Sequence, residues 1–204
     1  MKKSEQTHYE WFFYAMSFLG LAKIGCRELI NQKYRDKDFL TEDLLYGAEE
    51  SNSRFLLIPI FFNVKHSLEL FIKTVGVNID GEYRDKHDLD YLLKDLKSRV
   101  KNLFKNRNKN EIFQKIEDLK SIVKKYFLYN FLENMNPIRD YNNELFRYPS
   151  SKRGINISQE LEKFDSTKVG EILNDIKKIH ILFISIRGLT NSTKLGHPNP
   201  GSWS

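Results

Sequence analysis

The residues best suited to chemistry are polar side chains in an apolar stretch from Phe61 to Lys73. The candidates for ligand binding in this stretch are Asn63, His66, Glu69 and Lys73. On a helix His66, Glu69 and Lys73 are neighbours, and Glu69 and Lys73 have the favourable (i, i+4) polarity. A histidine beside a glutamate can change charge near neutral pH. Two interpretations stay open: a solvated helix face, or the polar wall of a binding groove in which Glu69 orients His66.

A second set of candidates lies between residues 134 and 166 and combines cations with aromatic rings. These are Arg139, Tyr141, Arg147, Tyr148, Lys152 and Arg153. Guanidinium groups bind phosphates bidentately and aromatic faces stack on bases, so the set suits RNA or a nucleotide. The alternative is that these side chains fix the loop, with Arg147 bound to a carboxylate or a carbonyl.

The other reactive residues give no recognisable active site. His87 precedes a predicted helix start, where the helix dipole disfavours a protonated ring, so we expect it to cap or pack in its neutral form. His180 is expected to be a hydrogen-bonded core residue. No nucleophile–base pair, phosphate loop or metal-ligand spacing is present in the sequence, and we predict neither a metal nor a cofactor.

Length and charge limit the classes of protein that fit. The chain has 204 residues and a net charge of +6, which favours one domain and permits contact with a polyanion. Seven Lys and Arg residues between Lys94 and Lys109 are opposed only by Asp95. That run is either a locally basic surface or an ordinary solvated one.

The cellular location is predicted from the cysteine content and the N-terminus. A single cysteine, Cys26, excludes an internal disulfide and fits a reducing cytoplasm, and we expect it in the core. The start at Met1-Lys2-Lys3 superficially resembles a secretion signal, but Glu5 and Glu10 precede the apolar run and no cleavage site follows. No apolar segment reaches the ~20 residues of a membrane span, so we expect a soluble, cytoplasmic protein.

The periodicity of apolar residues is helical and predicts an all-α, up-and-down bundle of about five to six helices. A capping box at Thr7 and Glu10 predicts a first helix over residues 8–33. A short helix is expected over residues 41–49. A long helix should start near Ser53 or Pro59 and end at Gly76, with Gly81 in the turn that follows.

Three further helices are predicted downstream. Asp88 should cap a helix that ends near Leu103, and Asn110 should cap the next one. The buried stripe of that helix is Ile112, Phe113, Ile116, Leu119, Ile122, Val123, Tyr126 and Phe127. A last helix over residues 167–189 carries the stripe Val169, Ile172, Leu173, Ile176, Ile179, Phe183 and Ile186.

The remaining segments set the domain limits. Residues 134–166 contain prolines and no helical stripe, and a small hairpin could pair residues 144–148 with 155–158. We predict one domain over residues 1–190 and an extended or disordered tail over residues 191–204.

Three motifs in order resemble those of the HEPN superfamily: Asn63-Val64-Lys65-His66-Ser67-Leu68-Glu69-Leu70-Phe71-Ile72-Lys73, then His87-Asp88-Leu89, then Phe146-Arg147-Tyr148-Pro149. The resemblance covers roughly residues 53–189. It implies a helical bundle that often dimerises and works in a prokaryotic toxin–antitoxin or antiviral system. Many members are metal-independent ribonucleases. The implied partners are RNA or a nucleotide, a cognate antitoxin or other protein, and a second copy of the chain.

The sequence departs from the ribonuclease members of the family at one motif. Those members place a histidine four to six residues after an arginine, but the window after Arg139-Asp140 holds Glu144, Leu145 and Phe146. Either the chain is non-catalytic, or it cleaves RNA with Arg139 and Arg147 together with His66 or His87. If the chain is non-catalytic, we expect a protein that binds RNA, a nucleotide or a partner through a polar groove. A dimeric scaffold is a third possibility, because the first helix has more aromatic residues than one buried face needs.

Overall fold

The computed structural model describes residues 3–31, 56–103, 108–128 and 166–194. Within these ranges the chain forms five helices and no strand: α1 (Lys3–Asn31), α2 (Leu57–Asp80), α3 (Leu89–Leu103), α4 (Asn108–Val123) and α5 (Ser166–Lys194). A π-helical turn, Lys124–Leu128, continues α4. The predicted all-α bundle is confirmed. The expected helix at 41–49, the hairpin within 134–166 and the tail beyond residue 194 lie outside the described residues.

Helix α2 lies at the centre of the core and contacts α1, α3 and α5. The ring of Phe71 stacks on Phe183 with centroids 3.7 Å apart, and Phe12 of α1 lies 6.3 Å away. Each such side chain contributes about 1.5–3 kcal/mol when it is buried. Because Gly25 approaches Ile60 while Phe12 approaches Phe71, α1 and α2 run antiparallel.

The predicted apolar stripes of the last two helices face this core. In α4 and its π turn, the buried members are Ile112, Ile116, Leu119, Ile122, Val123 and Tyr126. All seven predicted members in α5 are buried. The stripe in α4 continues into the π turn with Tyr126, and the side chain of Phe127, the last predicted member, lies outside the described residues.

Two predicted helix starts are wrong, and in both cases the helix begins earlier. Helix α1 starts at Lys3, so Thr7 lies inside it and cannot be the non-helical capping residue that a capping box requires. The preceding Glu5 and Gln6 are good helix formers, which explains the extension. Helix α4 likewise starts at Asn108, which places Asn110 in its first turn.

The predicted end of α2 at Gly76 is also wrong, because the helix continues to Asp80. Gly81 is the residue that ends it: its φ is 81°, and its backbone N–H donates to the Val77 carbonyl over 2.7 Å. Such a left-handed C-cap favours glycine. At Gly76 a Cβ would lie 3.2 Å from Nη1 of Arg99. Gly76 therefore makes room for a side chain of α3 inside a continuous helix. Pro59 lies in the first turn of α2, as expected.

Arg99 fixes the connection between α2 and α3. Its Nη1 donates to Asp80 Oδ1 over 2.6 Å and to the Glu82 carbonyl over 2.8 Å, and its Nε donates to Asp95 Oδ2 over 2.6 Å. At the end of the connection, Asp88 Oδ1 accepts from the backbone N–H groups of Asp90 (2.9 Å) and Tyr91 (3.1 Å). The predicted cap of α3 is confirmed, and the short segment that carries His87 is held at both ends.

Helix α5 extends to Lys194, beyond the predicted end at Leu189. Residues 191–194 of the expected tail therefore continue the helix. Among the described helices, none combines the length and the apolar character that a membrane span requires.

Candidate functional site

The carboxylate of Glu69 is the centre of the polar cluster in the middle of α2. It accepts a hydrogen bond from Lys73 Nζ over 2.8 Å and one from His87 Nδ1 over 2.9 Å. Glu69 and Lys73 lie one turn apart on α2, and both are buried. His87 comes from the connection between α2 and α3. Because a buried carboxylate is costly unless it is paired and hydrogen-bonded, the two donors explain how Glu69 can lie in the core. The predicted Glu69–Lys73 pair is present, but it is not solvated.

His87 connects this buried pair to the surface. Its side chain is 48% exposed, whereas that of Glu69 is 5% exposed. Since the Glu69 carboxylate can only accept, Nδ1 of His87 is assigned as the donor. The part of the chain that the structure describes holds no further hydrogen-bond partner for this ring. Nε2 is therefore the atom that a ligand could reach, either as a proton acceptor or, when protonated, as a donor.

Two aromatic rings close one side of the cluster. The Tyr83 hydroxyl lies 3.5 Å from Lys73 Nζ, and the Tyr83 ring meets Trp11 of α1 edge to face with centroids 5.5 Å apart. Tyr83 itself is 46% exposed. These contacts confine the Lys73 ammonium, so Glu69 has a fixed neighbour while the imidazole remains accessible.

His66 lies in a different environment from the one expected. Its ring meets Phe18 edge to face at 4.6 Å and stacks on Phe62 at 5.7 Å between centroids. Asn63 lies one turn before it and is half-buried. The structure thus brings together Glu69, Lys73 and His87, while His66 packs among aromatic rings between α1 and α2. Arg139, Arg147, Tyr148, Lys152 and Arg153 lie outside the described residues.

A second polar cluster joins the π turn after α4 to α5. Asp175 Oδ2 accepts from Lys125 Nζ over 2.8 Å and from the Tyr126 hydroxyl over 2.5 Å. Its other oxygen accepts from Lys178 Nζ over 3.3 Å. Asp175 is buried, whereas the side chains of Lys125 and Lys178 are 46% and 66% exposed. One buried carboxylate therefore holds two exposed lysines of different helices side by side.

The charges of this cluster shift several pKa values. Partial burial opposes ionisation of Asp175, but the hydrogen bonds from Lys125 and Tyr126 outweigh it and lower the pKa of the carboxyl. Burial would lower the pKa of Lys125, yet the bond to Asp175 and the charge of Glu171 raise it. Burial and the Asp175 carboxylate both raise the pKa of the Tyr126 hydroxyl. At neutral pH Asp175 is thus an anion between two cations.

A cleft of about 540 Å³ lies beside Asp175, between α4 and α5. Its apolar lining residues are Ile122, Ile181 and Leu182, and its polar ones are Asp118, Ser121, Lys125, Asp175 and Lys178. Lys124 and Lys177, next in sequence to Lys125 and Lys178, are also exposed. We call Lys124, Lys125, Lys177 and Lys178 the lysine surface. It is hardly predictable from the sequence, because Asp175 lies at the edge of the α5 stripe and two of its partners, Lys125 and Tyr126, are about 50 residues away.

The predicted basic run from Lys94 to Lys109 is largely neutralised in its described part. Lys94 pairs with Asp90 over 2.6 Å, Lys97 pairs with Glu117 over 2.7 Å, and Arg99 is buried among carboxylates. Lys101 remains exposed. Lys125 and Lys178 are ion-paired as well, with Asp175, and Lys125 also lies 3.6 Å from Glu171. The excess of exposed positive charge on α4 and α5 therefore comes mainly from the neighbouring Lys124 and Lys177.

Two further observations limit the chemistry of the described residues. Cys26 is fully buried, as predicted, and burial raises the pKa of its thiol to about 12, so it is not a thiolate at neutral pH. In the same ranges no three His, Cys, Asp or Glu side chains come close enough together to hold a metal ion.

Comparisons with protein-family models, with curated proteins and with solved structures found no match to the chain.

Proposed function

We propose that this chain is a HEPN-like protein of a prokaryotic defence or toxin–antitoxin system that binds RNA. Two features support the proposal: the sequence motifs that resemble the family, and the lysine surface. The observation that carries RNA binding is the pairing of Lys125 and Lys178 across Asp175, which gathers exposed cations from two helices at one cleft.

The excess of cations over acids in α4, its π turn and α5 favours binding of a polyanion beside these helices. Residues 108–128 contain five lysines and three acidic residues, and residues 166–194 contain five Lys or Arg and two acidic residues. In contrast, residues 3–31 contain three cations and three acids. Positive charge on one side of a protein attracts nucleic acid through its phosphates, without regard to sequence.

The test is binding of a labelled single-stranded RNA, measured by fluorescence anisotropy at several salt concentrations. The variant Lys124→Ala/Lys177→Ala should bind at least about tenfold more weakly. The slope of log affinity against log salt should become shallower by about 1.4, since each phosphate contact to a single strand contributes about 0.7.

The matched control is Lys86→Ala/Lys101→Ala, which removes two exposed lysines elsewhere and changes the net charge equally. It should leave the slope close to that of the wild type. Equal losses in both variants would mean that net charge, and not the lysine surface, governs binding. Binding of a free nucleotide or of a partner protein, with no binding of RNA, would favour the other ligands that the resemblance implies.

The Glu69–His87 pair favours a second candidate function, a metal-independent ribonuclease with a non-standard active site. A carboxylate that holds Nδ1 fixes an imidazole so that Nε2 can take a proton. In RNA cleavage that proton would come from the 2′-hydroxyl as its oxygen attacks phosphorus, while the 5′-oxygen leaves and is protonated by a second group or by water. Arg139 and Arg147 are the candidates for stabilising the phosphate.

This candidate is tested by incubating single-stranded RNA with the protein in EDTA. Cleavage should fall at least about 100-fold in His87→Ala, the low end of the usual contribution of general acid–base catalysis. An Arg139→Ala/Arg147→Ala variant tests the arginines, and His180→Ala serves as the histidine control. Intact RNA with the wild-type protein would leave RNA binding as the function and would exclude cleavage of this substrate.

A further inference from the structure

The cleft between α4 and α5 differs in charge from one end to the other. At one end the ammonium groups of Lys125 and Lys178 both pair with Asp175. Asp118 comes two turns before Lys125 on α4, and Leu182 comes two turns after Asp175 on α5, yet all of these residues line the same cleft. The two helices therefore run antiparallel along it. The exposed carboxylate of Asp118 lies at the end away from the two lysines.

The cleft has the length and the volume of a small-ligand site. Asp118, Ile122 and Lys125 follow an (i, i+4, i+7) spacing and so share one face of α4. At about 1.5 Å per residue, Asp118 and Lys125 are roughly 10 Å apart along the helix. The volume of about 540 Å³ lies within the range of about 300–1,000 Å³ that is typical of ligand pockets. Between the charged ends the lining is apolar, with Ile122 buried and Ile181 65% exposed.

The carboxylate of Asp118 has room for a further hydrogen bond. Its Oδ1 accepts from Gln114 Nε2 over 2.9 Å at the surface, and within the described ranges no group donates to its Oδ2. An ionised carboxylate accepts hydrogen bonds and cannot donate them. A ligand that Asp118 selects must therefore carry an N–H or O–H group at this end of the cleft.

The two lysines at the other end retain donors for an anion. Each ammonium has three N–H donors. In the part of the chain that the structure describes, Lys178 uses one of them for Asp175, while Lys125 bonds Asp175 and lies 3.6 Å from Glu171. A phosphate at this end would thus meet donors from both helices without breaking the bonds that hold Asp175.

We propose that this cleft binds one nucleotide of the RNA and favours cytosine over uracil, an inference that rests on the RNA-binding function proposed above. The phosphate lies at the lysine end, and the base contacts Ile122 and Ile181, as apolar side chains contact bases that have left a stack. The exocyclic amine of cytosine then donates to Asp118, since acidic side chains accept from cytosine N4. Uracil has the carbonyl oxygen O4 at this position, which the carboxylate repels.

The experiment compares a labelled oligocytidylate with an oligouridylate of the same length, in fluorescence anisotropy titrations of the full chain at neutral pH. The two RNAs have the same backbone charge and ring size and differ on the Watson–Crick edge of the base. The wild type should bind the oligocytidylate at least about fivefold more tightly, the low end of the discrimination that one specific base contact gives. Equal affinities, or a preference for the oligouridylate, would overturn the proposal.

The variant Asp118→Asn tests whether this carboxylate selects the base. The amide keeps the shape of the side chain and an acceptor for Gln114, but it can also donate to uracil O4. The preference for cytosine should therefore disappear or reverse. Glu111→Gln is the matched control, because it removes the same charge from α4 two turns away and should keep the preference. A preference that survives in Asp118→Asn would contradict the proposal.

The variant Ile181→Ala tests whether the base lies in the cleft. It should weaken binding of both RNAs at least about threefold through the loss of apolar contact. Ile184→Ala is the control, because Ile184 is 55% exposed one turn further along α5 and does not line the cleft. Circular dichroism checks that both variants keep their helicity. Equal effects of the two substitutions would place the base elsewhere and would overturn the proposal.

The variant Lys124→Ala/Lys177→Ala separates failure of this inference from failure of RNA binding itself. Weaker binding of both RNAs by this variant, with no discrimination by the wild type, would leave RNA binding in place and refute the base preference. A wild-type protein that binds neither RNA would refute the RNA-binding function, and the base preference with it.

Discussion

Asp175 shows how a single buried carboxylate can organise a surface. It has three hydrogen-bond donors, from Lys125, Tyr126 and Lys178. Since the Tyr126 hydroxyl is buried with it, Asp175 contributes both to the core and to the position of the lysine surface. Removing its charge should therefore affect stability and RNA binding together.

We expect Asp175→Asn to lower the stability at neutral pH by about 2 kcal/mol, the typical value of hydrogen bonds to a charged group. This corresponds to a decrease in Tm of about 5 °C for a chain of this size. Because the pKa of Asp175 is lower in the folded chain than the unfolded value of about 3.9, its stabilisation is present above that value and is lost as the pH falls through the folded pKa.

The measurement is the difference in Tm between the wild type and Asp175→Asn at pH 7 and at about pH 3. The difference should shrink at the lower pH. A difference that stays constant between the two conditions would mean that the ionised carboxylate does not account for the loss.

Lys73 allows a second test at the level of single residues. Its substitution by methionine keeps the aliphatic volume but removes the Lys73 ammonium, which donates to the buried Glu69 carboxylate over 2.8 Å. We expect a loss of about 3 kcal/mol in the free energy of unfolding, as for other broken buried ion pairs. Urea denaturation measures it.

Lys94→Met is the matched control for that test. Lys94 also pairs with an acid four residues away, Asp90, but its side chain is 62% exposed. Exposed pairs contribute little, so this variant should lose less than about 1 kcal/mol. Similar losses in the two variants would contradict the structural role given to the Glu69–Lys73 pair.

At the level of elements, α2 contains Gly76 in its interior, where a glycine ordinarily weakens a helix. Gly76→Ala should gain helix propensity, about 1 kcal/mol, but its Cβ would lie 3.2 Å from Arg99 Nη1. Arg99 is held by Asp80, Asp95 and the Glu82 carbonyl and cannot move aside at low cost. We expect a net loss of about 1–2 kcal/mol in urea denaturation.

Gly188→Ala is the comparison for Gly76→Ala, because it lies within α5 and a Cβ there meets nothing within 4 Å. It should stabilise the protein by up to about 1 kcal/mol. Stabilisation by both substitutions would show that the space around Arg99 adapts, and would contradict the explanation of why α2 contains a glycine.

Gly76 also illustrates what the sequence could and could not predict. Helices with a strong apolar period, such as α4 and α5, were predicted with the correct buried faces, since periodicity reports directly on burial. The local signals at Gly76, Thr7 and Asn110 were misleading because tertiary contacts and neighbouring helix formers override them. The cap at Asp88 was correct because its bonds are to backbone groups two and three residues away.

The candidate site could be predicted from the sequence only in part. The Glu69–Lys73 pair follows from helical spacing alone, but their burial depends on how α1, α3 and α5 surround α2. His87 meets Glu69 because the connection after Gly81 folds back along α2, and no local pattern specifies that return. The lysine surface depends on Asp175, whose partners Lys125 and Tyr126 are distant in sequence.

At the scale of the whole molecule, the charge of the described residues is uneven. Residues 108–128 and 166–194 contain more cations than acids, whereas residues 3–31 contain three of each. If the protein binds RNA, the RNA should therefore lie along α4 and α5 and not along α1.

The π turn at Lys124–Leu128 accommodates one residue more than a regular helix would in the same length. Lys125 and Tyr126 are consecutive, yet both reach the same oxygen of Asp175 from this turn. Deleting Lys124 would remove the additional residue and allow α4 to continue as a regular helix. Consecutive side chains on a regular helix point about 100° apart, so the shared bond of Lys125 and Tyr126 to Asp175 should be weakened by a change in length that leaves the composition of α4 almost unaltered.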